Sequence, residues 1–294
     1  MIVSVLMGGS SAEREVSIKT GKAVLNACKE LGYETLSVDF YDDYKQTLTA
    51  LKSSDIVFNA LHGTTGEDGT IQSWLEENNI IFTGSGSYSS KLCMDKNKSK
   101  KIVRNKGFLT PNWVIIRNAN ELGKTKFPCI VKPNAQGSTF GLSMVKEKNT
   151  IHDSINLAFK YDSAVLIEDY IKGREITVGI LNGVPLPIVE IIPDHSIYDY
   201  ECKYSPGMSK YVCPAEIDKS LEKKIKKDSL EIFNALKCCG YGRLDFILDD
   251  NGLYYFLELN TLPGMTSTSL LPIAGDKHGL IFRDLINKII QISI

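Results

Sequence analysis

Residues 242–269 read GRLDFILDDNGLYYFLELNTLPGMTSTS, and the fold is read outward from them. The runs 242–248 and 253–259 are apolar and rich in β-favouring residues. Asn251-Gly252 between them is a strong hairpin signal, because a two-residue turn of this kind needs φ > 0 at both positions. With those two residues as the turn, Asp250 pairs with Leu253, Asp245 falls opposite Glu258, and Arg243 falls opposite Asn260. Side chains two apart on a strand share a face. One face is therefore expected to carry Arg243, Asp245, Glu258 and Asn260. Two carboxylates directly opposite each other repel, and apolar neighbours such as Leu244, Phe246 and Leu257 raise the cost. A cation relieves both problems. Two carboxylates and an amide oxygen, completed by waters and phosphates, are how Mg²⁺ is held beside a nucleotide. The competing reading is an exposed sheet face with a surface Arg–Asp pair.

The bulk properties narrow the field. A chain of 294 residues can bury a large core and form two or three lobes. With 34 Lys+Arg against 35 Asp+Glu the net charge is -1, which argues against a general nucleic-acid binder or a binder of anionic membranes. No apolar run reaches membrane-spanning length, and the opening residues do not show a basic stretch followed by an apolar one as a secretory leader would. Seven cysteines, an odd number without zinc spacing, read as reduced thiols in a cytoplasmic protein.

Along the chain, a strand at 1–7, the loop Gly8-Gly9-Ser10-Ser11 and a helix over 13–31 make an anion-binding corner. By itself Glu13 is also what a helix dipole favours in a first turn. Strands at 34–39, 56–61 and 80–83 alternate with helices at 44–51 and up to Asn78, the pattern of an α/β lobe with a parallel sheet. His62 and three glycines follow the third strand, either at the edge of a parallel-sheet site or in a plain connector. Residues 91–106 form a basic helix, whose Lys91, Lys98, Lys100 and Lys101 read as solvated surface. Lys132 ends a strand at 127–132 and is a solubiliser or a phosphate contact. The loop 134–141 is small-residue and glycine-rich, suited to close backbone approach. Residues 194–214 are polar, carry four tyrosines and show little periodicity, as a lid does. An amphipathic helix over 218–239 leads into the hairpin, and helices beginning at Leu270 and Leu280 close the chain.

These blocks together resemble the D-alanine–D-alanine ligases of the ATP-grasp superfamily. The matching stretches are GGSSAEREVS at 8–17, LHGTTGEDG at 61–69, MDKNKSK at 94–100, IVKPNAQGSTFG at 130–141, YDYECKY at 198–204, and GRLDFILDDNG with FLELNTLPGMTSTSLLP within 242–272. The resemblance implies a three-lobed α/β ATP-grasp fold: an N-terminal parallel-sheet lobe over 1–86, a central lobe over 87–173, and a C-terminal lobe over 174–294 with the lid at 194–214. It implies a cytoplasmic enzyme that uses ATP to join two D-alanines through an acyl phosphate, for peptidoglycan precursors, and a homodimer.

It also implies roles for particular residues. Asp245, Glu258 and Asn260 would hold two Mg²⁺ or Mn²⁺ ions. Lys96 and Lys132 would contact the ATP phosphates beneath the loop at Gly137, Glu168 to Ile171 (with Tyr170) the adenine, and Glu175 the ribose. Glu13 would pair with the first D-alanine's ammonium, with His62 beside it. Glu13, Ser138 and Tyr204 would form a hydrogen-bonded triad tethering the lid. Arg243 and the Gly264 N–H would stabilise the tetrahedral oxyanion. Lys203, Ser269 and the helix start at Leu270 would bind the second carboxylate. Phe140 is bulkier than the family's usual residue. The alternatives are a D-lactate variant, against which the pair Lys203-Tyr204 argues because it favours an amine nucleophile, a D-serine variant, and a non-catalytic nucleotide-binding module.

Overall fold

The apolar opening run becomes β1 (Ile2–Gly8), and β2 (Glu34–Phe40) and β3 (Ile56–Asn59) lie parallel on either side of it, in the order β2-β1-β3. The structure is a computed structural model and describes residues 1–195, 198, 202–203, 205 and 207–294. The strand expected at 80–83 contracts to one bridge, Phe82 beside Val57, because Gly84, at φ 94°, turns the chain away at once. Helices α1 (Arg14–Glu30), α2 (Tyr44–Leu51) and α3 (Thr70–Glu77) flank this sheet. Val3, Val5 and Met7 pack toward Val24 and Ala27 of α1, while Leu6 packs toward Ile71 and Leu75 of α3. This is the two-sided burial that a parallel strand requires.

The basic stretch expected as one helix is two, α4 (Ser87–Met94) and α5 (Lys96–Asn105). Asp95 breaks it in an extended conformation and caps α5, accepting from the Lys98 backbone N–H at 3.0 Å. A four-stranded antiparallel sheet follows: β4 (Trp113–Ile116), β5 (Cys129–Pro133), β6 (Ser143–Val145) and β7 (Val165–Asp169), in the order β4-β7-β5-β6, with α6 (Ile151–Phe159) packed on it. Strand β4 has no counterpart in the sequence reading.

The third sheet holds β8 (Arg174–Leu181), β9 (Val184–Pro185), β10 (Val189–Pro193), β11 (Ser209–Val212), β12 (Tyr241–Leu248) and β13 (Tyr254–Asn260). Its order is β11-β10-β8-β12-β13, with β9 on β8. Helices α7 (Lys219–Ala235), α8 (Leu270–Lys277) and α9 (Phe282–Gln291) cover it or return to the first sheet. The segment expected as an unbroken lid over 194–214 ends in β11, paired with β10. Tyr204, within that segment, lies outside the described residues. Among the described residues no helix is long and apolar enough to cross a membrane.

The hairpin forms, but not through a two-residue turn. Leu248 pairs with Tyr254, so residues 249–253 make the connection. Asp249 organises it, its carboxylate accepting from Asn251 and Leu253 N–H at 2.9 and 2.8 Å. Gly252 takes φ 79° and Asn251 stays out of the left-handed region. The register is thereby one residue off until a bulge between Asp245 and Phe246 restores it. Asp245 then faces Glu258 and Arg243 faces Asn260.

Candidate active site

The bulge decides what the hairpin can do. Strict alternation puts Phe256 and Glu258 on one face, yet Phe256 and Leu259 are core residues. The extra residue lets Leu257 and Glu258 both line a cavity of about 400 Å³. Re-aiming a side chain next to a site is a recurrent use of a bulge. On β12 alternation is regular: Leu244, Phe246 and Leu248 enter the core while Asp245 and Ile247 line the cavity.

Asp245 is the knot of this face. Its carboxylate accepts Arg243 Nε and Nη2 at 2.9 and 2.8 Å, Thr177 Oγ1 at 2.6 Å and Asn260 Nδ2 at 2.9 Å. Burial works against the Arg243 charge, but Asp245 more than offsets it and holds the guanidinium protonated. Glu258 is also pressed toward neutrality by burial, and Lys96, Lys203 and Lys132 reverse this and bring its carboxyl down to about 2. Lys96 Nζ stands 3.2 Å from it. Glu175 goes the other way: burial, then Asp245, push it up to about 8. Glu175, Asp245 and Glu258 thus form an acidic wall among cations.

Such oxygen donors suit a hard divalent ion. Among the described residues no three His, Cys, Asp or Glu groups converge as a ready-made cage. Magnesium does not need one, since it keeps waters and is completed by substrate phosphates. Asn260 donates its amide N–H to Asp245 and so keeps its amide oxygen as an acceptor. The residues present therefore fit the ion.

The remaining walls of the first cavity include Lys96, Lys132, Gly137, Glu168, Tyr170, Ile171 and Glu175. Lys132 Nζ donates to Glu168 at 2.5 Å, and Lys96 Nζ donates to the Gln136 carbonyl at 2.7 Å. Phe140 stacks on Tyr161 with centroids 5.9 Å apart, so the bulky residue seats its loop.

A second cavity, of about 500 Å³, is lined by Glu13, His62, Ser138, Arg243, Asn260, Gly264, Ser269 and Leu270. Glu258, Lys203 and Tyr198 line both cavities, so the two meet there. Glu13 occupies the N-cap position of α1 rather than its first turn, and its carboxylate accepts from the Ser138 hydroxyl. Burial, then the charge of Glu67, raise its carboxyl above the ordinary range. Ser138 and Thr139 take φ 49° and 59°, the left-handed backbone that delivers the hydroxyl there. His62 has both ring nitrogens engaged, Nδ1 with Glu67 and Nε2 with Thr20 Oγ1, each at 3.0 Å. Ser269, at the N-cap of α8, accepts from Thr266 N–H at 3.1 Å, and a Cβ on Gly264 would sit 3.1 Å from the Ser269 Oγ.

Every site residue singled out from the sequence thus lines one cavity or the other, except Tyr204. Four supporting residues were not singled out. Glu67 lies five residues from His62 in the same loop, which was a readable signal. Thr20 and Thr177 carried none. Lys100, expected on the solvated face of its helix, is fully buried. It pairs with Glu168 and lies 5.1 Å from the Trp113 ring centroid. Lys96 and Lys100 are four apart and share a helix face; that spacing was the available signal.

Known proteins share this architecture. Residues 102–291 match the family model described as D-ala D-ala ligase C-terminus, and residues 41–85 the one described as D-ala D-ala ligase N-terminus. The D-alanine–D-alanine ligase of Aquifex aeolicus is 44% identical over 293 residues, covering 99% of this chain and 100% of its own. That of Syntrophotalea carbinolica is 42% identical over 290 residues, covering 98% and 94%. Among solved structures, the Bacillus anthracis D-alanine–D-alanine ligase complexed with ATP is similar at a TM-score of 0.86 and 37% identity, over 100% of this chain and 96% of that one. The VanG D-Ala:D-Ser ligase of Enterococcus faecalis is similar at a TM-score of 0.86 and 28% identity, over 100% and 99%.

Proposed function

The chain belongs to the D-alanine–D-alanine ligase family, and from that premise we propose how its two joined cavities ligate two D-alanines at the expense of ATP. The observation that carries the reading is the meeting of the cavities at Glu258 and Lys203. ATP would fill the cavity of about 400 Å³, with adenine near Tyr170 and Ile171, ribose at Glu175, and phosphates toward Lys96 and Lys132. The two D-alanines would occupy the other, so that the reacting carboxylate and the γ-phosphate come together at the junction.

The first D-alanine carboxylate attacks the γ-phosphorus, giving an acyl phosphate and ADP. The second D-alanine amine then attacks the acyl carbon, and the tetrahedral intermediate expels phosphate to leave the dipeptide. Such chemistry is chiefly positioning and charge stabilisation. Asp245, Glu258 and Asn260 would hold magnesium or manganese, which when bound neutralises charge on the transferring phosphate. Glu13 would take the first ammonium, with His62 fixed beside it by Glu67 and Thr20. Arg243 Nη1 and the Gly264 N–H would receive the oxyanion. Lys203, Ser269 and the start of α8 at Leu270 would hold the second carboxylate. Tyr204 would complete the lid triad with Glu13 and Ser138.

We further propose lobes at 1–86, 87–173 and 174–294, supported by one sheet falling within each, a cytoplasmic setting, and a homodimer. ADP release measured with D-alanine, L-alanine, D-serine and D-lactate tests the reading. Turnover is expected with D-alanine alone or best with D-alanine. Turnover with D-lactate or D-serine added to D-alanine, where D-alanine by itself gives none, would overturn the choice of second substrate, and nucleotide binding without turnover would overturn catalysis. Light scattering tests the dimer.

A further inference from the structure

Helix α5 carries five lysines and arginines in the segment KNKSKKIVRN, and one of them is placed where a solvated lysine never sits. Lys100 is fully buried behind the wall of the nucleotide cavity. Its ammonium meets one oxygen of Glu168, and the ammonium of Lys132 meets the other. Lys132 and Glu168 line the cavity. A buried carboxylate shared by two ammonium groups leaves one net positive charge. Without Lys100 the remaining Lys132–Glu168 pair is neutral, and Lys132 is drawn wholly to its partner.

We infer that Lys100 is a positioning residue for the nucleotide, the buried counter-ion of Glu168 that leaves the charge of Lys132 free for the phosphates. The inference rests on the reading of this cavity as the ATP site. The groups around Lys100 are Glu168 on β7, Lys132 on β5, Arg104 on its own helix, and the Trp113 ring on β4, over which Arg104 Cζ also lies at 4.2 Å. Burial, opposed by Glu168 and reinforced by Lys132, brings the Lys100 amine down to about 8. Glu168 stays ionised, because Lys100 and Lys132 overcome its burial. The arrangement therefore loses its net charge as the pH rises through about 8.

Calorimetric titration of the full chain with ADP and magnesium, without D-alanine, tests this. Lys100→Met keeps the volume and removes the charge. It is expected to weaken ADP about tenfold at pH 7, the worth of one charge-assisted hydrogen bond. KM for D-alanine, which concerns the other cavity, stays unchanged. In a Glu168→Gln background there is no charge to neutralise, so Lys100→Met is expected to cost less than about twofold. Equal losses in both backgrounds mark a merely structural role and overturn the inference, as does unchanged affinity in the single variant. Lys132→Met separates the two levels: if it leaves ADP binding unchanged, the nucleotide reading falls with this one; if it weakens ADP and Lys100→Met does not, only this inference falls. Should Lys100→Met fail to fold, the wild-type protein decides. Its ADP affinity is expected to fall about tenfold between pH 7 and pH 9.5, and a flat profile overturns the proposal.

Discussion

Replacing Arg243 by lysine keeps a positive charge at the junction of the cavities and removes its shape. Two of the three guanidinium nitrogens are spent on Asp245, at 2.9 and 2.8 Å. The third, Nη1, has two N–H donors for the developing oxyanion. A lysine ammonium is a point charge on a flexible stem and cannot serve both directions in one geometry. If it follows Asp245, the oxyanion loses its donor, which costs about 10²–10³ in kcat, or about 3–4 kcal/mol of barrier. If it follows the oxyanion, Asp245 keeps Thr177 and Asn260 at 2.6 and 2.9 Å, and the loss of its charged partner costs about 1–3 kcal/mol of stability. Steady-state kinetics of ADP release with D-alanine, together with thermal melting of the free protein, separates the branches. A kcat lowered at least about a hundredfold with KM for ATP within about threefold is expected on the first branch. The reasoning is refuted if kcat and melting both stay at wild-type values, or if the loss appears only in KM for ATP.

Glu258→Gln is expected to abolish ATP turnover while the free protein keeps its far-ultraviolet dichroism; turnover at the wild-type rate would undo the assignment of the junction. Glu13→Gln is expected to raise KM for the first D-alanine about tenfold or more with nucleotide affinity unchanged, since a charged hydrogen-bond acceptor is lost only in the second cavity; inhibition by D-alanine analogues and ADP calorimetry read the two arms. The stability of the free protein has a component from Lys100, whose burial brings its amine from the ordinary lysine value of 10.5 down to about 8. The unfolded chain binds more protons between those values, so this component rises with pH from about 8 to about 10.5, by about 3 kcal/mol. Denaturant titration of wild type against Lys100→Met should show that pH-dependent difference, and parallel curves would contradict it. Phe256→Ala, which empties a fully buried core position beside the bulge, is expected to cost about 3–5 kcal/mol by denaturant unfolding.

Much of this architecture was open to reading because it is written locally. Parallel-sheet alternation over the first 80 or so residues, the helix starts at Asp218 and Ser269, and the pairing of Asp245 with Glu258 depend on short-range pattern and turn chemistry. Even so, the correct pairing was reached through an incorrect turn. The connection is longer than Asn251-Gly252 suggests because the Asp249 carboxylate organises it, and the bulge returns the register. Two local departures cancel at the site, and neither is visible in alternation alone. The split of the basic helix at Asp95 is likewise a matter of capping, and the aspartate that causes it was in plain sight.

What the sequence by itself determined is the type of most elements, because periodicity and turn residues act over a few neighbours, while most of the polar side chains that face the cavities were implied by the resemblance to the ligases. What only the tertiary structure decided is which charges meet. Lys100 is buried, against every expectation for a lysine-rich helix, because Glu168 and Trp113, far along the chain, are brought to it; His62 is locked because Thr20 and Glu67 converge on its two nitrogens. The energy of a charge depends on its partners and its exposure to water, and both are properties of the folded whole.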